Sequence, residues 1–163
     1  MAATDFDFLL GEWVVRNRRR DDYRPQSTSD GWSEFESRVH ARPILGGAGV
    51  VDTYFFPDFP GRGEQHGFAL RLVDIREDIW RVWWASSSSS GSLDSPVVGR
   101  FCNGTGLFAG GESYRGSLAL VRTRYYEIRP DSLRWEQVFS FDEGQTYEPN
   151  WTMDFQRHEL TAE

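Results

Sequence analysis

Residues 118 to 141 read Leu118-Ala119-Leu120-Val121-Arg122-Thr123-Arg124-Tyr125-Tyr126-Glu127-Ile128-Arg129-Pro130-Asp131-Ser132-Leu133-Arg134-Trp135-Glu136-Gln137-Val138-Phe139-Ser140-Phe141. Two runs rich in β-branched and aromatic residues flank Pro130-Asp131, a turn-forming pair, so the stretch reads as two strands that fold back on each other. Side chains alternate across a strand. The first run therefore divides into Leu118, Leu120, Arg122, Arg124 and Tyr126 against Ala119, Val121, Thr123, Tyr125 and Glu127. The second divides into Arg134, Glu136, Val138 and Ser140 against Trp135, Gln137, Phe139 and Phe141. A solid two-sheet sandwich gives each strand one clean apolar face, whereas a barrel around a ligand space mixes aromatics with isolated polar groups on its wall. These strands follow the second pattern.

The same chemistry recurs along the chain, predicting strands at 12–19, 32–42, 50–56, 67–76, 79–86, 97–102, 116–128, 133–141 and 147–158. Turn formers separate them: Gly46-Gly47, Pro57 with Pro60-Gly61, Glu77-Asp78, Asn103-Gly104, Gly110-Gly111, Pro130-Asp131 and Asp142-Glu143-Gly144. Several connections are hairpin-short, so sequence neighbours pair antiparallel in up-and-down order. A twisted sheet of about 9 to 10 strands curls, and closure removes its edges. The expected fold is an all-β, closed antiparallel up-and-down β-barrel, with a sandwich as the alternative. Thr4-Asp5-Phe6-Asp7-Phe8-Leu9-Leu10 reads as one short N-terminal helical turn. With no linker-like stretch, residues 1–163 are expected to form a single domain.

Composition sets limits on function. Aromatic residues make up 15% of the chain, and each ring removes on the order of 150–250 Å² from water, so a sizeable core is within reach. All 18 cations are arginines and the net charge is −7, which offers no overall attraction to nucleic acid or anionic lipid. The arginine usage reflects either a GC-rich genome or a need for planar, permanently charged forks. Cys102 is the lone cysteine; it excludes an internal disulfide and reads as a small core residue. The start of the sequence lacks a basic and apolar leader pattern, and no run approaches the ~20 apolar residues of a membrane span, so a soluble cytoplasmic protein is expected.

Facing positions nominate the candidate site. Arg71 stands alone on a face with Ala69, Val73 and Ile75, and the strand from Ile79 is bulky on both faces, with Ile79, Arg81 and Trp83 against Trp80, Val82 and Trp84. Arg71, Trp83, Arg124, Tyr126, Glu136 and Gln137 form the expected ligand-binding set. Buried Glu136 would have a raised pKa and could move a proton, unless Arg122, Arg124 or Arg71 pairs with it. His66 is a second proton-transfer candidate, as a base on the rim. The run 86–90, all serine, followed by Gly91, reads as a mobile loop; it and the glycine-rich stretch 104–111 are candidate gates. His40, His66 and His158 are too scattered for a local metal site. No nucleophile elbow, phosphate loop or dinucleotide fingerprint is present.

Phe6-Asp7-Phe8-Leu9-Leu10-Gly11-Glu12-Trp13 resembles the Gly-x-Trp opening of the first strand in the lipocalin and wider calycin superfamily. Its Phe-x-Phe-Leu-x-Gly-x-Trp form is similar to a bacterial lipocalin-like group that carries no assigned activity. Arg42-Pro43-Ile44-Leu45-Gly46-Gly47, Pro96-Val97-Val98-Gly99-Arg100-Phe101, Arg134-Trp135-Glu136-Gln137 and Asn150-Trp151-Thr152-Met153-Asp154-Phe155 resemble that group too. The resemblance implies a calycin barrel whose end is closed by Trp13 beneath a cation from the last strand, here Arg157. Nitrobindin-type haem barrels share the superfamily, but their Gly-x-Trp-x-Gly-x-Gly pattern meets Val14, Val15 and Arg16 here. Haem held through His158 is therefore an alternative to no cofactor at all.

Two functions fit best. One is binding of a small, mostly hydrophobic ligand in the barrel; the other is a cyclase or isomerase using the same cavity with a buried carboxylate or histidine. A filled barrel acting through an exposed aromatic face, as a homodimer, is the third reading.

Overall fold

A computed structural model describes residues 2–25, 31–89 and 91–158. Ten antiparallel strands follow one another round a closed barrel: β1 (Gly11–Arg20), β2 (Trp32–Ile44), β3 (Gly49–Phe59), β4 (Gly63–Asp74), β5 (Ile79–Ser86), β6 (Val97–Cys102), β7 (Thr105–Tyr114), β8 (Ser117–Tyr126), β9 (Ser132–Ser140) and β10 (Glu148–Arg157). Every sequence neighbour pairs, and β1 closes the ring on β10 with Trp13 opposite Arg157 and Asn17 opposite Met153. The described strands close into one ring without an open edge, so the sandwich alternative is set aside. Among the described residues only three 3₁₀ turns interrupt the strands, and no helix is long and apolar enough to cross a membrane.

Three expectations change. The strand β7 falls in the stretch read as a glycine-rich gate. Its glycines mark close approach rather than looseness: a side chain at Gly106 would strike the Phe101 ring, and one at Gly110 the carbonyl of Pro96. Cys102 is exposed at the end of β6, because the β6–β7 hairpin turns directly after it. The serine run is anchored where it is described: Ser87 N–H donates to the His66 carbonyl at 2.7 Å, Ser87 Oγ donates to Gln65 Oε1 at 3.1 Å, and Arg62 Nη1 donates to Ser88 Oγ at 3.2 Å. Ser90, part of the same predicted loop, lies outside the described residues.

One end of the barrel is plugged. The N-terminal segment forms 3₁₀ turns at Ala2–Thr4 and Asp7–Leu9, two separate turns where one helical turn was expected. It carries Phe6 and Leu9, both fully buried, into the barrel. Phe6 meets Trp80, Phe101 and Tyr125 edge-on, with ring centroids 4.9, 5.0 and 5.3 Å away. Trp13 Nε1 donates to the Leu9 carbonyl at 2.7 Å. The Arg157 guanidinium lies 3.8 Å from the Trp13 ring centroid and donates to the carbonyls of Phe8 at 2.8 Å and of Leu10. Gly11 adopts φ +106° here, and any side chain on it would meet the Arg157 guanidinium.

Candidate ligand cavity

Antiparallel pairing decides which residues face inward, because directly opposed residues share a face. Arg71 opposes Val82, so Ala69, Arg71, Val82 and Trp84 lie on the inner wall. Thr123 opposes Gln137, placing Val121, Thr123, Tyr125, Trp135 and Gln137 inside as well. Above the plug they surround a cavity of about 430 Å³, within the usual range for small-molecule sites. Tyr54, Phe56, Trp84, Trp135, Trp151 and Phe155 supply its aromatic lining. The cavity opens at the opposite end, between the β3–β4 turn, the β5–β6 connection and the β7–β8 hairpin, where Arg62, Ser89 and Ser113 border it.

A charged cluster forms the floor. Arg71 on β4 is 2% exposed and pairs through Nη1 with Oδ1 of Asp52 on β3, whose side chain is 0% exposed. Arg71 Nη2 donates to the Tyr125 hydroxyl of β8 at 3.0 Å, and the guanidinium lies 5.0 Å from the Phe6 ring centroid. Burial alone would favour a neutral Arg71, but Asp52, with Tyr125 and Tyr54, outweighs it and holds the guanidinium pKa well above its ordinary value. Burial raises the Tyr54 and Tyr125 pKa values, so both phenols stay protonated. Asp52 Oδ2 and Arg71 Nε are buried with no hydrogen-bond partner. Such a cluster fixes polar groups beneath an apolar space.

The mouth carries a second polar group. Glu112 on β7 and Asp94 on the β5–β6 connection both border the cavity. Burial, reinforced by Asp94, pushes the Glu112 carboxyl up to about 7, and burial also raises Asp94. Across the mouth, the chain leaving β1 brings Tyr23 to stack on Tyr114, centroids 4.8 Å apart and nearly parallel. The Tyr23 N–H donates to the Tyr114 hydroxyl at 3.1 Å.

Of the residues predicted from sequence, Arg71 and Gln137 line the cavity. Trp83, Arg124, Tyr126 and Glu136 do not; they project outward. Trp83 opposes Leu70 on the outside of β4 and β5, one position out of step with Arg71. Arg124 opposes Glu136 and bonds it through Nε at 2.6 Å, with the Arg124 guanidinium 4.0 Å from the Tyr126 ring centroid. The expected Arg124–Glu136 pairing thus exists, but on the outer surface. Glu136 and Gln137 are consecutive and cannot share a wall.

His66, the other proton-transfer candidate, is also outside, its Nε2 3.0 Å from Glu64 Oε1. None of the histidines borders the cavity; His40, His66 and His158 line one shallow groove on the outer surface. Among the described residues none of the cavity lining offers haem iron an imidazole. Among the described residues no three His, Cys, Asp or Glu side chains gather as metal ligands.

Sequence reading missed Asp52, Arg19, Trp84, Tyr125, Glu112 and Asp94. Register would have found two of them: the face that holds Arg71 must also hold Val82 and hence Trp84, and Tyr125 shares a face with Thr123. Glu112 was hidden by misreading β7.

No family model matches the sequence, and no curated protein matches it. Solved structures share its architecture, two of them as follows. An S-type phycobiliprotein lyase, CPES, from Guillardia theta superposes with a TM-score of 0.62 at 10% identity, covering 94% of this chain and 90% of that one. Rv2717c from M. tuberculosis superposes with a TM-score of 0.64 at 15% identity, covering 97% and 98%. At these identities the likeness speaks to architecture: this chain folds as a closed ten-stranded barrel of the calycin-like kind.

Proposed function

We propose that the protein is a receptor for a small, mostly apolar molecule held inside the barrel. The observation that carries this reading is the cavity of about 430 Å³ walled by aromatic rings over a fixed Arg71–Asp52–Tyr125 floor. A partly open hollow of this size with an aromatic wall and a few fixed polar groups has the form of a small-molecule site. That a barrel of the same build belongs to a phycobiliprotein lyase supports a working interior.

Trp84, Trp135 and Trp151 line the space, so an apolar guest should quench their fluorescence. Titration with N-phenyl-1-naphthylamine, and with native lipid extracts, is expected to quench saturably, and Val82→Trp, which fills the space from β5, is expected to abolish the effect. Absence of quenching by both, or full retention in folded Val82→Trp, sinks the receptor reading.

One observation favours a second reading, a proton-transferring cyclase or isomerase. Glu112 borders the cavity with its carboxyl near 7, the range in which a side chain both gives and takes a proton at neutral pH. It replaces Glu136 and His66 in that role. A pH–rate profile with a midpoint near 7 that vanishes in Glu112→Gln supports it; turnover indifferent to Glu112→Gln removes it.

A further inference from the structure

Among the described residues three arginines, Arg19, Arg62 and Arg71, line the cavity and Arg157 covers the plugged end; all but Arg19 have their charge answered in distinct ways. Arg71 meets Asp52. Arg157 at the plugged end meets the carbonyls of Phe8, Leu10 and Pro130 and the Trp13 face. Arg62, on the rim, donates to Ser88 and is exposed to water.

Arg19 differs from all of these. It projects from β1 into the cavity, partly buried, and its Nε is fully buried with no hydrogen-bond partner. Among the described residues no carboxylate forms an ion pair with it. It is held by rings instead: its guanidinium carbon lies 4.8 Å from the Tyr23 centroid, 5.2 Å from Phe59 and 5.3 Å from Trp151. Phe59 also takes the Arg62 guanidinium at 5.2 Å, so two cations without carboxylate partners flank one ring at the cavity mouth.

Aromatic faces hold a guanidinium in place without neutralising it. A cation withdrawn from water and left without an anion is costly unless something supplies one. The two carboxylates that line the cavity, Glu112 and Asp94, come from β7 and the β5–β6 connection, elements that are not neighbours of β1 in the ring. As like charges they repel each other, and neither forms an ion pair with Arg19. The neighbouring Arg20 shows the contrast, since it faces outward and finds Glu148 at 3.3 Å.

We propose that Arg19 is the docking point for an anionic head group, so that the guest is a small carboxylate-bearing amphiphile with its apolar body in the aromatic cavity and its carboxylate at the mouth. This rests on the receptor reading above and adds the chemical class of the ligand. A planar guanidinium caged by rings presents its remaining N–H donors in the fork that a carboxylate accepts. Arg62 stands beside the same ring, ready to add a second positive charge.

The matched pair decanoate and decanol tests this, through displacement of bound N-phenyl-1-naphthylamine at about pH 8, where the acid is ionised. Decanoate is expected to displace the dye at about ten- to a hundredfold lower concentration than decanol. In Arg19→Met the two should become nearly equivalent while the neutral dye still binds, and Arg19→Lys should restore part of the preference. Equal displacement by wild-type protein overturns the head-group assignment and leaves the receptor reading standing, as does a preference that survives in dye-binding Arg19→Met. If the dye, decanoate and decanol all fail to bind by calorimetry, the receptor reading itself falls, and this assignment with it.

Discussion

Asp52 and Arg71 depend on each other more than any other pair in the barrel. Removing the carboxylate leaves a guanidinium buried over Phe6 with neutral phenols, Tyr125 and Tyr54, in place of an anion. Asp52→Ala is therefore expected to lower the unfolding free energy by roughly 3–5 kcal/mol, measured in urea, while Asp52→Leu combined with Arg71→Met should cost much less than either single change. Glu112 gives stability a pH dependence of definite sign. Its folded pKa of about 7 lies above the ordinary 4.5, so folding takes up a proton between those values and stability falls as pH rises through that window. Asp142 acts in the opposite sense. Bonds from Thr146 and Ser140 hold it down to about 2 against an ordinary 3.8, so its contribution is present above 3.8 and is lost as pH falls toward 2. Urea unfolding across pH should show both slopes, with Glu112→Gln flattening only the upper one. Of these groups, Arg71 was legible as a lone charge on an apolar face. Its partner was not, because a short carboxylate between Val51 and Thr53 on the facing strand looks like any surface residue until register brings the two together.

Strand β7 shows where local reading fails. Gly106, Gly110 and Gly111 weaken its intrinsic strand character, yet at Gly106 and Gly110 a neighbouring ring and backbone occupy the space the missing Cβ would fill. The tightest such position is in its partner β6, where a Cβ at Gly99 would overlap the Leu107 carbonyl. Gly99→Ala is expected to cost about 1–3 kcal/mol, which lowers the melting temperature of a chain this size by several degrees in calorimetry. A glycine needed for close approach and a glycine that marks a loop look the same in one sequence, so β7 was read as a gate. The other nine strands were legible because their alternation and turn chemistry agree. The choice of inner face was legible only in part: Arg71 and Gln137 line the cavity, but Trp83, Glu136, Arg124 and Tyr126 sit one residue out of phase, and a single-residue shift exchanges the walls of a strand.

Closure joins the first strand to the last, and no local signal sets that register. It is secured where Arg157 covers Trp13 and binds the carbonyls of the N-terminal segment. Arg157→Ala is expected to lower stability by about 1–3 kcal/mol, since it removes a stacked cation and leaves carbonyl acceptors without donors. Loss of no more than a few tenths in urea titrations would show that the plug holds without it. Meander order and closure were legible from nine or so strands joined by short turns, because a twisted sheet of that width leaves few other solutions.

The plug has a kinetic corollary. With Phe6, Leu9 and Trp13 sealing one end, arrival and departure share a single doorway bounded by the serine-rich connection. Any change that widens this doorway without touching the occupant should accelerate association and dissociation by the same factor, leaving the equilibrium constant where it was. Gln65→Ala, which removes the acceptor for the Ser87 and Ser88 hydroxyls, is the simplest such change, and stopped-flow measurement of both rates would reveal it.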